Sequence, residues 1–383
     1  MRTAVVSDLH LGSATGEDLL RDASMRRVLL SEIGGADRVV LLGDAVELRD
    51  LPLAEALELS RPFFEDLGAA LAGREVVLVP GNHDHRLAEP LLERIALSRK
   101  GALGLEHRFR PAAGAGQRIG RWLGEARLEL AYPGVWLRDD VYATHGHYMD
   151  LHLTLPRAEC LGAAAVMRGT GPLPDPATPD RYERVLRPVY GFTYGLAQSE
   201  ALRRAGGATR ASERTWRWMS GDSGGAGGAR RLAAVAAAKA AVPAAVWAIN
   251  RLLGSSFDSD LSPRAISRSG IAAAAEMARR LRIGADHVIT GHTHRAGPRE
   301  GERPWAIADG RSLHNTGNWI FTAALHPPDS RPGPYWPGSV TWVDADGPPR
   351  RVALLDDRDA AQLGAIAHGG RFRLASIASR ELG

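Results

Sequence analysis

The amino-terminal half of the chain alternates short apolar runs with segments whose apolar residues recur at helical spacing. Thr3-Ala4-Val5-Val6, Arg38-Val39-Val40-Leu41-Leu42 and Glu75-Val76-Val77-Leu78-Val79 have the length and continuity of buried strands. Between them, Glu17 to Ile33 and Leu53 to Leu71 carry the helical spacing. Pro62 is expected to kink or divide the second of these, because proline removes a backbone donor from the helical ladder. After a helix near Glu89 to Leu97, the stretch from Gly101 to Gly124 is rich in Gly and Arg. Strand character returns at Leu128 to Leu137 and Val141 to Thr144. Further on, Ile271 to Leu281 reads as a helix, and His287 to Thr290, Trp305 to Ala308, Ser339 to Val343 and Arg351 to Leu355 as strands. Strand-helix-strand repetition predicts an α/β fold with a largely buried sheet covered by helices.

From about His147 to Arg268 the texture changes. Gly169 to Asp180 is a loop by its prolines and glycines, and Ser220 to Gly228 is a flexible tip by composition. Helical segments lie around them, including the Ala-rich run Ala229 to Leu253. Within it, Leu232 to Ile249 comes nearest to a membrane span, but Lys239, Pro243 and the many alanines argue against spanning. It reads as a lid or packed helix, with an interfacial amphipathic helix as the alternative. The aromatic residues of the region, Phe192, Tyr194, Trp216, Trp218, Trp247 and Phe257, exceed what a solvated linker needs. They suggest a cap with an apolar wall.

Composition narrows the class only a little. A hydrophobic share of 44% and a charged share of 24% over 383 residues suit a soluble globular protein with room for one large domain and an insertion, or for two domains. The net charge of +4 neither demands nor excludes nucleic acid. The single Cys160 rules out an intramolecular disulfide and a thiolate cluster, which favours a reducing compartment. Met1 leads straight into an apolar strand without a basic n-region, so a secretion signal is not expected. A cytoplasmic location follows as the expectation, with peripheral membrane contact through the insertion as its variant.

The chemistry lies in five stretches of one design, each a strand end followed by oxygen and imidazole donors: Ser7-Asp8-Leu9-His10, Gly43-Asp44-Ala45-Val46-Glu47, Gly81-Asn82-His83-Asp84, Thr144-His145-Gly146-His147 and Gly291-His292-Thr293-His294. A single such histidine is ordinarily a satisfied polar group, and an aspartate after glycine is ordinarily a turn residue. Their joint recurrence is not ordinary. In extended backbone, residues i and i+2 point the same way, so Asp8 with His10, and His292 with His294, are expected to serve one centre in pairs. Carboxylate, imidazole and amide oxygen without sulfur suit Mn²⁺, Fe or Zn²⁺ rather than a thiolate zinc site. The donors exceed one ion's needs, and a shared carboxylate such as Asp44 would hold two ions about 3.5–4 Å apart.

These motifs, in this order, resemble those of the calcineurin-like metallophosphoesterases. The resemblance covers residues 1–150 and 269–356, which would form the core. Residues 151–268 would be a mainly helical insertion, or cap, and 357–383 a carboxyl-terminal extension. It implies a four-layer αββα sandwich with a dinuclear metal site that hydrolyses phosphate esters. Carried over, Asp8, His10 and His294 would bind the first ion and Asn82, His145 and His292 the second, with Asp44 bridging. His83 matches the family's catalytic imidazole, and Asp84 would orient it. His85 and His147 would take supporting or surface positions. Asn315-Thr316-Gly317-Asn318-Trp319 resembles a strand end that closes the site floor. Glu47 and Arg49 resemble a segment of the UDP-2,3-diacylglucosamine diphosphatase branch, where Arg49 either meets a phosphate or is simply exposed. The expected substrate is a phosphodiester or diphosphate in a small or lipid-linked molecule. A nuclease of the same superfamily is the enzyme alternative, disfavoured by the modest charge. A non-catalytic metal-binding scaffold would be expected to have lost ligands.

Overall fold

A computed structural model describes residues 1–98, 101–200, 242–307, 309–323, 325–327, 329–367 and 369. Its strands are β1 (Thr3–Val6), β2 (Arg38–Leu42), β3 (Glu75–Val79), β4 (Glu106–Phe109), β5 (Arg127–Arg138), β6 (Val141–Thr144), β7 (His287–Thr290), β8 (Trp305–Ala306), β9 (Ser312–Asn315), β10 (Ser339–Val343) and β11 (Arg350–Ala353). They form one sheet in the order β11-β10-β1-β2-β3-β5-β6-β7-β9-β8, with β4 beside β5. β1, β2, β3 and the start of β5 run parallel. The long β5 then continues into an antiparallel pairing with β6, from Gly134↔Thr144 onward. β6, β7 and β9 are again parallel. One strand therefore joins two parallel halves.

Alternation along the strands shows how the sheet curls. Val5, Val40 and Val77 pack in one cluster with Val141, Ala143 and Ile289 from the other half. Their neighbours Val6, Leu41 and Leu78 turn to the opposite face, against Leu29 and Ile33 of α1 (Ala23–Ile33) and Phe63 and Leu67 of α2 (Leu53–Ala70). Because each face of these strands is covered, the runs lack polar alternation. On the second half, Tyr142 and Val288 pack with helices from residues 158–280. These are α5 (Ala158–Thr170) and α6 (Pro179–Gln198), together with the later helix α7 (Pro263–Arg280). The first half also carries α3 (Glu89–Leu97) and α4 (Gly114–Trp122).

Several elements differ from expectation. α2 is not divided at Pro62, which lies on the exposed side, where the carbonyl that loses its partner is not buried. The Gly- and Arg-rich stretch holds β4 and α4, whose few apolar anchors, such as Ile119, leave a weak periodic signal. β9 has the sequence Ser-Leu-His-Asn, with one apolar residue, and was not predicted. α7 begins eight residues before the predicted start, at the Ser262 cap, whose hydroxyl accepts from the Ala265 N–H. Of the Ala-rich run, residues 242–253 are helical and the earlier part lies outside the described residues, as do Trp216, Trp218 and the glycine-rich tip. No helix among the described residues is long and apolar enough to cross a membrane.

Candidate metal centre

β1, β2, β3, β6 and β7 each deliver their donors from the carboxyl end, where open α/β sheets form crevices. Backbone bonds hold these ends together: Asp8 N–H donates to Gly43 O at 3.1 Å, His10 N–H to Asp44 O at 2.8 Å, and Gly291 N–H to His145 O at 3.0 Å. The backbone there is not extended. Asp8, His10, Asp44, His292 and His294 have φ of 55°, 45°, 51°, 65° and 59°, and among the described non-glycine residues only Arg282 shares a positive value. Each such residue costs about 1–3 kcal/mol, so its concentration in one crevice marks a functional site. Gly43 at φ 82° completes the pattern beneath the His145 ring, and a Cβ on Gly291 would lie 2.5 Å from Asp8 Oδ2.

The side chains converge in three groups, each with donor atoms within 4.8 Å of one another: Asp8, His10 and His294; Asp44, His145 and His292; and His10, Asp44 and His83. His294 Nε2 lies 3.2 Å from Asp8 Oδ1, and His145 Nε2 lies 3.2 Å from Asp44 Oδ2. The Asn82 amide faces His145 Nε2 at 3.2 Å and His292 Nδ1 at 3.0 Å. The two histidines of Gly-His-x-His thus part, His294 to the first group and His292 to the second. Extended backbone would send His292 and His294 to one group, but the left-handed φ at both rotates their side chains out of the pleat, and they divide as the carried-over assignment has them.

Whether these residues fit a metal is answered by their atoms. His10 Nε2 and His294 Nε2 face each other at 3.3 Å, an arrangement of ring nitrogens that needs a proton or a cation between them. Asp8 Oδ1 is buried without a hydrogen bond. His145 Nε2, His292 Nδ1, Asp44 and Asn82 crowd likewise, and the donor set fits a borderline divalent ion. The charge is also right. Burial opposes charge on His10, yet its bond to Glu47 and the charges of Asp44, Glu47 and Asp8 raise it to about 9. Burial opposes charge on His145 too, and Asp44 raises it to about 10. A buried field this negative attracts cations.

Three of the candidate ligand imidazoles, His10, His145 and His292, are aimed by a partner on the other nitrogen, as metal-bound imidazoles usually are. Glu47 Oε2 accepts from His10 Nδ1 at 2.9 Å, the Leu42 carbonyl from His145 Nδ1 at 2.9 Å, and Asp150 Oδ1 from His292 Nε2 at 2.8 Å. Asp150 is in turn bonded by the Tyr190 hydroxyl of α6 at 2.9 Å. Asp84 does not orient His83. Its carboxylate accepts from the N–H groups of Gly81 at 2.6 Å, Ala45 at 2.8 Å and Asp44 at 3.2 Å, tying two ligand loops together. The carboxylate at His83 is Glu47, with Oε2 2.5 Å from Nδ1 in an ion-pair contact not aligned as a hydrogen bond. His83, its side chain 25% exposed, and His294, at 28%, are the two accessible imidazoles among these donors.

His85 and His147 are both buried. They sit behind the centre with Tyr132, Tyr148 and Glu183, where Glu183 takes His85 Nε2 at 3.0 Å and the Tyr148 hydroxyl at 2.7 Å. Arg49 is not exposed: it pairs with Glu159 of α5 at 2.6 Å, beside Asn82. Asn315 and Asn318 brace the His292–His294 turn, donating to Gly291 O at 2.6 Å and His294 O at 2.9 Å. Glu47 had a sequence signal, three residues after Asp44. Asp150 had none, since nothing local separates it from a surface aspartate.

A curled mixed sheet with His/Asp groups able to hold metal at its strand ends defines a metal-site α/β protein. Residues 1–163 match the family model of calcineurin-like phosphoesterases, and the chain carries that domain. The match is to the family as a whole and assigns no branch within it, the UDP-2,3-diacylglucosamine branch included. No curated protein matches the chain. Members of the family bind divalent metal ions and are typically hydrolytic.

Proposed function

We propose that this protein hydrolyses a phosphodiester or diphosphate bond with two divalent ions, Mn²⁺ foremost and Fe or Zn²⁺ as alternatives. Asp8, His10 and His294 hold one ion, Asn82, His145 and His292 the other, and Asp44 lies between. The observation that carries this is the position of Asp44, whose Oδ2 lies 3.2 Å from His145 Nε2 and 3.8 Å from His10 Nε2, between the two sets of donors. Bound ions of this kind lower the pKa of water and stabilise charge on phosphoryl oxygens.

The chain's own residues supply the rest. His83 stands at the mouth with Nδ1 beside Glu47; as an imidazolium it would keep the Nδ1 proton toward that carboxylate and give the Nε2 proton to the departing oxygen. The Arg49 guanidinium, next to Asn82, is placed to meet a phosphoryl oxygen once it exchanges partners with Glu159. The reading is tested by assaying monoesters, diesters, nucleotide-sugar diphosphates and single-stranded DNA with Mn²⁺, alongside metal analysis. Two bound ions with turnover of a diester or diphosphate is the expected result. Full activity in the presence of a strong chelator would overturn it.

A further inference from the structure

Arg49 stands between the candidate centre and α5. Its backbone N–H donates to Glu47 Oε1 at 2.9 Å, which fixes the root of the side chain beside the ligand loops. Nη1 lies 3.0 Å from the terminal amide of Asn82, and Nη2 pairs with Glu159 Oε1 at 2.6 Å. When the amide oxygen of Asn82 faces an ion with His145 and His292, its NH2 group meets Arg49 Nη1 donor to donor. The oxygen of an anion accepts from both. Glu159 sits in the first turn of α5, two residues after Arg157. Its side chain is 13% exposed and that of Arg49 10%, so the pair is shielded from water. Arg157 is exposed and, among the described residues, closes no ion pair of its own, yet it acts electrostatically on Glu159 and on His294. One carboxylate therefore has two cations in reach. Leaving a shielded carboxylate without a partner is costly, and a move from Arg49 to Arg157 avoids that cost.

We infer that Glu159 is a specificity-determining residue of this centre: it holds Arg49 in the free protein, passes to Arg157 when a phosphoryl group takes Arg49, and so favours a singly charged phosphodiester over a doubly charged monoester. The inference rests on the hydrolase reading for its phosphoryl group. In either seat the carboxylate offsets one positive charge beside the centre, so Arg49 adds a directed hydrogen bond but little net attraction for a second negative charge on the substrate. Repulsion by a neighbouring carboxylate grows with the charge of the phosphoryl group. A diester carries one such charge at neutral pH, and a monoester above the second phosphate pKa of about 6 carries two.

The experiment compares p-nitrophenyl phosphate with its methyl ester, which share a leaving group and differ by one charge, at about pH 8 with Mn²⁺-loaded protein. Glu159→Gln is expected to raise the ratio of kcat/KM for the monoester over the diester about tenfold or more, the effect of one unit of charge nearby. Glu159→Asp, which keeps the charge, is expected to keep the parent ratio. An unchanged ratio in Glu159→Gln, or a ratio raised equally by both substitutions, overturns the inference. Arg157→Gln removes the second seat, so KM for the diester is expected to rise severalfold. In the Glu159→Gln background the same change should have little further effect. Equal losses in both backgrounds make Arg157 a direct substrate contact and overturn the exchange. If Glu159→Gln fails to fold, the exposed Arg157→Gln carries the test, and an unchanged KM overturns the exchange. Calorimetric titration with inorganic phosphate separates the two readings. If neither ester is cleaved, the hydrolase reading fails. Phosphate bound about tenfold tighter by Glu159→Gln than by the parent still upholds the charge selection, and equal Kd values overturn it.

Discussion

Asp150 accepts a hydrogen bond from His292 at 2.8 Å and thereby fixes which ring nitrogen of that histidine faces the second donor group. Its other oxygen is held by Tyr190 at 2.9 Å, so a helix on the far side of the second core reaches the centre through one carboxylate. Both partners are buried, which keeps the bond from exchanging with water.

Asp150→Asn is therefore expected to weaken metal binding roughly 10–100-fold, the range for losing an outer partner of a ligating histidine. The loss should fall on one of the two ions. Titration calorimetry with Mn²⁺ measures it directly. Tyr190→Phe should produce a smaller loss in the same step. Unchanged affinity for both ions in Asp150→Asn would show that His292 is not a ligand.

Asp44→Asn is expected to abolish turnover and lower metal content, because the Asp44 carboxylate lies within 3.2 Å of His145 and 3.8 Å of His10, donors of the two different sets. Elemental analysis of the purified variant reads this. Two ions retained at full activity would remove Asp44 from the centre.

His83→Ala should leave the ions bound while the rate falls by roughly 10²–10⁴, as for loss of a positioned proton donor. Nitrophenyl esters, whose leaving groups need little protonation, should lose least. Glu47→Gln should show the same leaving-group dependence and also loosen the ion held by His10, since Glu47 contacts both rings. An equal loss for good and poor leaving groups in His83→Ala would leave that residue a phosphate-binding role only.

Gly291→Ala tests the backbone. The new methyl would meet Asp8 Oδ2 and Ser7 Oγ, each at 2.5 Å, and both belong to an inner loop with no room to retreat. Weaker metal binding and a melting temperature lowered by a few degrees are expected, since overpacking costs about 1–3 kcal/mol. A variant equal to the parent in both would mean that the Asp8 loop is free to shift.

Much of the frame was legible in the chain because its signals are local. Val39 to Leu42 and Val76 to Val79 are apolar at every position, so their burial on both faces could be read without knowing what covers them. The five donor clusters were legible for the same reason, since ligand, glycine and strand end are adjacent in sequence. The partners that aim the ligands lie elsewhere: Asp150 reaches His292 across 142 positions, and Glu47 reaches His10 across 37. Asp84 shows the limit from the other side. Adjacency suggested service to His83, whereas the fold brings the amides of residues 44–46 and Gly81 to its carboxylate, and backbone donors fixed in a turn outcompete a mobile ring. Sequence by itself determined which strands are buried and which donors stand at their ends, because burial and turn chemistry act over a few residues. The tertiary structure alone decided which groups aim those donors, Asp150 for His292 and Glu47 for His10 and His83, because these contacts join loops far apart in the chain.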